Sequence, residues 1–173
     1  MLINNWYVAA ESADVVQGQP HGVKMLGFDF VLQRLSDGSV ACLSDVCIHR
    51  GASLSKGACH GDRFACPFHG WEFDASGACV KIPSMGDDFA IPKRAKIDSY
   101  PTEEKYDWIW VFLGDLPEDQ RPPVPNLLPE YDDPEHWRVT RMVIDADVNW
   151  QKFEENSLDT AHLSFVHKSF GNR

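Results

Sequence analysis

No basic start followed by an apolar run opens this chain, so residues 1–10 do not read as a secretion signal. No stretch approaches the ~20 apolar residues that a membrane-spanning helix needs. Positive charge is scarce: 16 Lys+Arg stand against 26 Asp+Glu, a net charge of −10. So acidic a chain repels a phosphate backbone, which argues against nucleic acid as a partner. There are five cysteines, an odd number without a secretion signal, which argues against a disulfide framework. A cytoplasmic location, no membrane association and a metal role for some of the cysteines are the expectation. Low-complexity tracts are absent, and the only internal similarity is between two short loops.

Material for a core is present. Of the 173 residues 43% are hydrophobic, and the six tryptophans supply large anchors. That length fits one domain, or one small domain plus part of another. Residues 1–114 read as all-β. Gly27 to Leu32 and Val40 to Leu43 flank Ser36-Asp37-Gly38, a hairpin signal. Phe64-Ala65-Cys66 and Trp71-Glu72-Phe73 form a second strand pair, and Ala75-Ser76-Gly77 turns the chain into a further strand at 78–82. The run Trp108 to Leu113 is continuously apolar and predicts a buried strand. Residues 115–136 hold six of the eleven prolines and many acids, so they predict an extended connector. Alternation at Val139, Arg141, Val143 and Asp145 predicts a strand over 137–147. The span from Val148 to about Phe165, free of Pro and Gly, predicts one helix.

Two half-motifs carry the chemistry. Cys47-Ile48-His49-Arg50-Gly51 is followed by Cys66-Pro67-Phe68-His69-Gly70-Trp71, with sixteen residues between His49 and Cys66. Two Cys and two His on two loops suit either a tetrahedral zinc ion or a [2Fe-2S] cluster with Cys on one iron and His on the other. The His-x3–5-His spacing usual in zinc fingers is missing from these two loops. Gly51 and Gly70, without Cβ, would let backbone N–H groups approach bridging sulfides.

These residues resemble the Rieske iron–sulfur motif. The resemblance implies that Cys47 and Cys66 bind an inner iron, and His49 and His69 an outer, more exposed one. In respiratory Rieske proteins each loop carries an extra Cys; here those places hold Ala52 and Phe68. Their hydrogen-bonding Ser and Tyr are replaced by Trp71 and Phe73. Fewer donors to sulfur imply a potential near the low end of the Rieske range, about −150 mV.

Downstream, Glu155, Asp159 and His162 are spaced i, i+4, i+7 and would share one helical face. His167 lies five residues past His162, about 140° away on an ideal helix, so both could bind one metal only if the helix ends or distorts between them. Two His with one carboxylate form the facial triad of non-haem Fe(II) oxygenases. A solvated acidic helix with incidental histidines is the plainer alternative. The pattern Glu-x3-Asp-x2-His-x4-His is, however, similar to that of Rieske oxygenase large (alpha) subunits. The opening Asn5-Trp6-Tyr7-Val8-Ala9-Ala10 also looks like their vanillate-demethylase-like, ring-hydroxylating branch.

By that resemblance His162 and His167 are ligands of a mononuclear Fe(II). Asp159 bridges an iron-ligand histidine to a cluster histidine of a neighbouring subunit, and Asn156 lies near the iron. The family's third ligand, a carboxylate, lies far downstream, so the 173 residues are expected to lack a complete catalytic site. The implied fold is a Rieske-type β-sandwich (1–114), a Pro-rich connector (115–136) and the start of an α+β, helix-grip-like catalytic domain (137–173). The implied function is that of a terminal oxygenase component. It takes electrons from a reductase or ferredoxin and uses O2 to hydroxylate or demethylate a small organic, aromatic substrate, as a homotrimer in full-length form. A Rieske ferredoxin, a pure electron carrier, is the rival reading, and a zinc-binding interaction module is a third. Cys42 and Cys79 read as core thiols, Cys59-His60 as a surface turn, and His21 and His136 as solvated loop residues.

Overall fold

The computed structural model describes residues 2–86 and 88–167. It is mainly β, with two short α-helices among the described residues. The chain divides into two units, Met1–Asp132 and Asp133–Arg173. No helix among the described residues is long and apolar enough to cross a membrane.

Three antiparallel sheets build the first unit. One contains β1 (Asn5–Glu11), β10 (Thr102–Lys105) and β11 (Trp108–Leu113), in the order β1-β11-β10. The second contains β2 (His21–Met25), β3 (Phe28–Arg34), β4 (Val40–Ser44) and β9 (Ser99–Tyr100), in sequence order. The third is small: β5 (Ala58–Cys59), β6 (Phe64–Ala65), β7 (Glu72–Phe73) and β8 (Cys79–Lys81). The hairpin expected around Ser36-Asp37-Gly38 joins β3 to β4, with Arg34 opposite Val40. The apolar run at 108–113 is β11, paired on both sides.

Two cores share the β3–β4 hairpin. Phe30, Leu32 and Cys42 face Ile109, Val111 and Leu113 of β11. Val31 and Leu43 point the other way, into a core with Leu54, Phe64, Phe73, Cys47 and Cys66. Successive strand residues alternate faces, so a strand covered on both sides reads as a continuous apolar run. Within the first unit, the proline-rich stretch around Pro122 and Val124 packs on the first sheet. The Trp6 indole Nε1 donates to the Pro122 carbonyl at 2.6 Å, and Val124 is buried beside Tyr106 and Trp110.

The second unit departs from two expectations. Residues 137–147 form no strand: an alternating segment needs a partner's backbone, and among the described residues none pairs with it. The helix over 148–165 is broken in two, α1 (Trp150–Leu158) and α2 (Leu163–Val166). Asn149 caps α1 by accepting from the Gln151 N–H at 2.9 Å, and extended backbone at Asp159 ends it (φ −80°, ψ 93°). A sequence without Pro or Gly gives no warning of that break. Two smaller differences concern His21, which opens β2 rather than sitting in a loop, and Cys59, which lies half-buried on β5. Cys42 and Cys79 are buried.

The turn into β8 is tightly fitted. Gly77 has φ +84°, and a Cβ there would sit 2.0 Å from the Ile97 carbonyl oxygen. Gly77→Ala combines left-handed backbone strain with a backbone clash, so it is expected to cost about 3 kcal/mol. Urea denaturation followed by tryptophan fluorescence measures this; a loss of less than about 1 kcal/mol would show that the turn relaxes freely.

Candidate metal centre

The two loops of the first unit are built alike. The Cys47 N–H donates to the Ala52 carbonyl (2.9 Å), and the Gly51 N–H donates back to the Cys47 carbonyl (2.8 Å). The Cys66 N–H donates to the Trp71 carbonyl (2.8 Å), and the Gly70 N–H to the Cys66 carbonyl (3.0 Å). Gly51 (φ +70°) and Gly70 (φ +68°) take the same left-handed conformation that closes each turn. The same turn thus holds Cys-x-His in one loop and Cys-x2-His in the other.

This folding sorts the donors by kind. Cys47 and Cys66 are buried, at 2% and 4% exposure, in one core cluster. Burial pushes the Cys47 thiol up to about 11, and the adjacent Cys66 adds to the rise. A metal must therefore displace a firmly held proton. His49 and His69 are exposed, their ring centroids 4.5 Å apart and their planes 62° apart. Partial desolvation, then the neighbouring His69 and Arg50, hold His49 below the usual imidazole range, favouring the neutral ring that metals need. Among the described residues no three His, Cys, Asp or Glu side chains converge as the ligands of one ion would. Two thiols together and two imidazoles together fit a two-iron group, one pair to each iron, better than a single tetrahedral zinc.

A match to the Rieske [2Fe-2S] domain family covers residues 5–101. The chain belongs to that family. Its Rieske domain is one whose cofactor is a [2Fe-2S] cluster. Over 154 residues the chain is 35% identical to methylxanthine N1-demethylase NdmA of Pseudomonas putida, covering 86% of this chain and 41% of that protein. It is 36% identical to the toluene-4-sulfonate monooxygenase iron-sulfur subunit TsaM1 of Comamonas testosteroni (96% and 47%). A crystal structure of dicamba monooxygenase bound to 3,6-dichlorosalicylic acid superposes with a TM-score of 0.80 at 32% identity, covering 95% of this chain and 47% of that one. The chain spans less than half the length of these relatives.

Side chains behind the Rieske loops escaped the sequence reading. Asp45, 6% exposed, accepts from the Ser55 N–H and hydroxyl, both at 2.6 Å, and so ties the two ends of the first loop region. Glu72, 4% exposed, meets His60 Nδ1 (3.0 Å), Arg63 (3.1 Å) and Lys81 (3.7 Å), locking β7 just beyond the second loop. His60 thus stands in an exposed turn, closed by its N–H on the Arg63 carbonyl (2.9 Å), and its ring also meets Glu72. A carboxylate between Trp71 and Phe73 on a buried strand was the available signal. The Trp71 indole lies flat on the His49 ring, centroids 4.6 Å and planes 7° apart.

The second unit carries the other residues singled out. His162 and His167 flank the single turn of α2, which ends at His167 with extended backbone (φ −101°, ψ 92°), and their ring centroids are 5.5 Å apart. Asp159 Oδ2 lies 3.5 Å from His162 Nδ1, which is buried and has no hydrogen-bond partner. Because α1 stops at Leu158, Glu155 does not share a continuous helical face with Asp159 and His162; it pairs instead with Lys152 at 2.7 Å. Asn156 lies exposed in the last turn of α1.

Glu72 supplies a pH test. Burial pushes its carboxyl up, but His60, Arg63 and Lys81 together outweigh that and hold it below its usual 4.5. A depressed folded-state value gives stability that is present above 4.5 and lost as the pH falls through the lower folded value. Glu72→Gln should therefore cost about 1–2 kcal/mol at neutral pH. The gap between wild type and variant should close as acid is added. Denaturation midpoints across an acid series check this, and a gap that is constant with pH would remove the charge from the explanation.

Proposed function

We propose that this chain carries the Rieske domain and the opening of the catalytic segment of a terminal oxygenase. The carrying observation is that one chain holds both a buried Cys47–Cys66 pair with exposed His49 and His69 on the same loops, and a second histidine pair, His162 and His167, whose rings meet across the single turn of α2. A pure electron carrier has no use for the second pair. Relatives named as N-demethylases and as a dicamba O-demethylase oxygenase component support hydroxylation or demethylation of an organic, aromatic substrate.

Cys47 and Cys66 would hold the inner iron of the cluster, His49 and His69 the outer one, and His162 and His167 a mononuclear Fe(II). The cluster supplies single electrons when bound, and the Fe(II) supplies the chemistry of O2 activation. Exposed imidazoles on the outer iron put the electron path at the protein surface, where a reductase or ferredoxin can reach it. Asp159 Oδ2 lies 3.5 Å from the unpartnered His162 Nδ1, and a small approach on metal binding would let it accept that N–H and leave Nε2 as the metal-facing lone pair. In the complete protein Asp159 also serves as the link to a cluster histidine of the next subunit in a homotrimeric ring, in the cytoplasm.

Purified without oxygen, the protein should be red-brown and contain two irons and two acid-labile sulfides at the Rieske site, as one such cluster requires. Cys47→Ala should abolish the colour and lower the denaturation midpoint, because the cluster clamps two loops. Colourless wild-type protein holding stoichiometric zinc would overturn the assignment.

In the full-length oxygenase, Asp159→Asn should leave both metal contents unchanged yet slow electron transfer from cluster to iron by about 10–100-fold. Asparagine keeps the size but lacks the charge that polarises the imidazole N–H. Single-turnover oxidation of the reduced cluster by O2, timed by absorbance, reads the rate; an unchanged rate with full iron loading would remove Asp159 from the path.

A further inference from the structure

The two histidines of the Rieske loops stand on identical backbone turns, yet their surroundings differ. His49 has the Trp71 indole parallel to it, centroids 4.6 Å and planes 7° apart. The recorded ring contacts of His69 are its edge-on meeting with His49 (4.5 Å, 62°) and a tilted one with Phe68 (4.0 Å, 36°). Phe68 is 61% exposed and anchors little.

Trp71 is itself well held. Its carbonyl accepts the Cys66 N–H at 2.8 Å, and its side chain packs on the core that contains Cys47 and Cys66. The next two residues, Glu72 and Phe73, are buried on β7. Beyond the indole, Ile82, Met85 and Phe89 continue an apolar wall along a groove of 660 Å³ that also includes His49. A histidine ring turns about a broad torsion with no sharp staggered wells. A flat aromatic neighbour that cannot move narrows that torsion, because stacking is lost as the ring rotates. The same device orients metal-bound imidazoles elsewhere through hydrogen bonds; here the orienting group is a ring face.

We propose that Trp71 is a positioning residue that fixes the ring plane of His49 alone, so that the two imidazoles of the outer iron are inequivalent: His49 clamped, His69 free to adjust. The inference rests on the ligand assignment proposed above. It deepens that assignment by giving the two histidines different work. The clamped ring keeps a fixed orientation to the cluster, and the adjustable ring is the one that can adapt to an approaching protein surface.

The test is pulsed EPR of the dithionite-reduced full chain, which resolves the nitrogen couplings of iron-bound histidines. Wild type should show two histidine nitrogens, one with a narrow distribution of couplings and one broad. Trp71→Leu should widen the narrow set by about twofold or more, as its torsion is released, and leave the broad set unchanged. Trp71→Phe, which restores a ring face, should return the narrow set. If Trp71→Leu holds no iron, Trp71→Met fills the space without a ring and takes its place. Loss of iron from both, with retention in Trp71→Phe, supports the ring clamp, whereas loss from all three overturns it in favour of simple core filling. Unchanged couplings in Trp71→Leu, or equal widening of both sets, also overturn it. A wild-type spectrum without two histidine nitrogens would instead overturn the ligand assignment itself, so the two failures are distinguishable.

Discussion

The β3–β4 hairpin has no side that can face water, and this constraint organises the first unit. Val31 and Leu43 look one way while Phe30, Leu32 and Cys42 look the other, so the hairpin needs two covers. The first cover is conventional, a sheet centred on the six-residue strand β11. The second is not. Its strands β5, β6 and β7 have two residues each and β8 has three, too short to form a stable sheet on hydrogen bonds alone. What completes it is the pair of loops whose cysteines are part of the core. A cluster bound across those loops would therefore be a structural member of the domain as well as its redox centre, in the way that small metal domains gain folding energy from their ions.

Much of this was legible in the residues themselves. Long or continuous apolar runs with turn signals between them gave the right strands, because a doubly covered strand shows an unbroken apolar string and Asp-Gly closes a hairpin without strain. The failures share a cause: they depend on partners that a linear pattern does not contain. The alternation at 139–145 suits a strand, but alternation alone supplies no second backbone. The helix beyond Val148 has no Pro or Gly, yet Asp159 is extended and the helix stops, since the Asp159 side chain instead accepts from the Ala161 N–H at 2.9 Å.

Within the site, the residues with diagnostic spacing stood out, and the ones that hold them in place did not. Cys47, His49, Cys66 and His69 are conspicuous because few other arrangements need two Cys and two His in two short loops. Asp45 and Glu72 are ordinary letters in the sequence. Their importance comes from being buried, which spacing does not reveal and which becomes visible only when Ser55, His60, Arg63 and Lys81 are seen to gather on them. Trp71 lies between these extremes. Its place beside Gly70 is plain, but a ring stacked at 7° on a histidine from the other loop is a fact of three dimensions.

The matching turns at Cys47 and Cys66 have a design consequence. Each spans the same number of residues between its paired backbone groups, and each closes on a glycine of nearly the same φ, although one loop places its histidine two residues after the cysteine and the other three. Histidine placement is thus uncoupled from the turn: the turn is a fixed cassette, and the histidine occupies one of two slots on it. Moving a histidine between slots changes only where an imidazole begins its reach. The shared turn leaves the direction of the thiols to the core beneath it, where Leu54, Phe64 and Phe73 receive both cysteines.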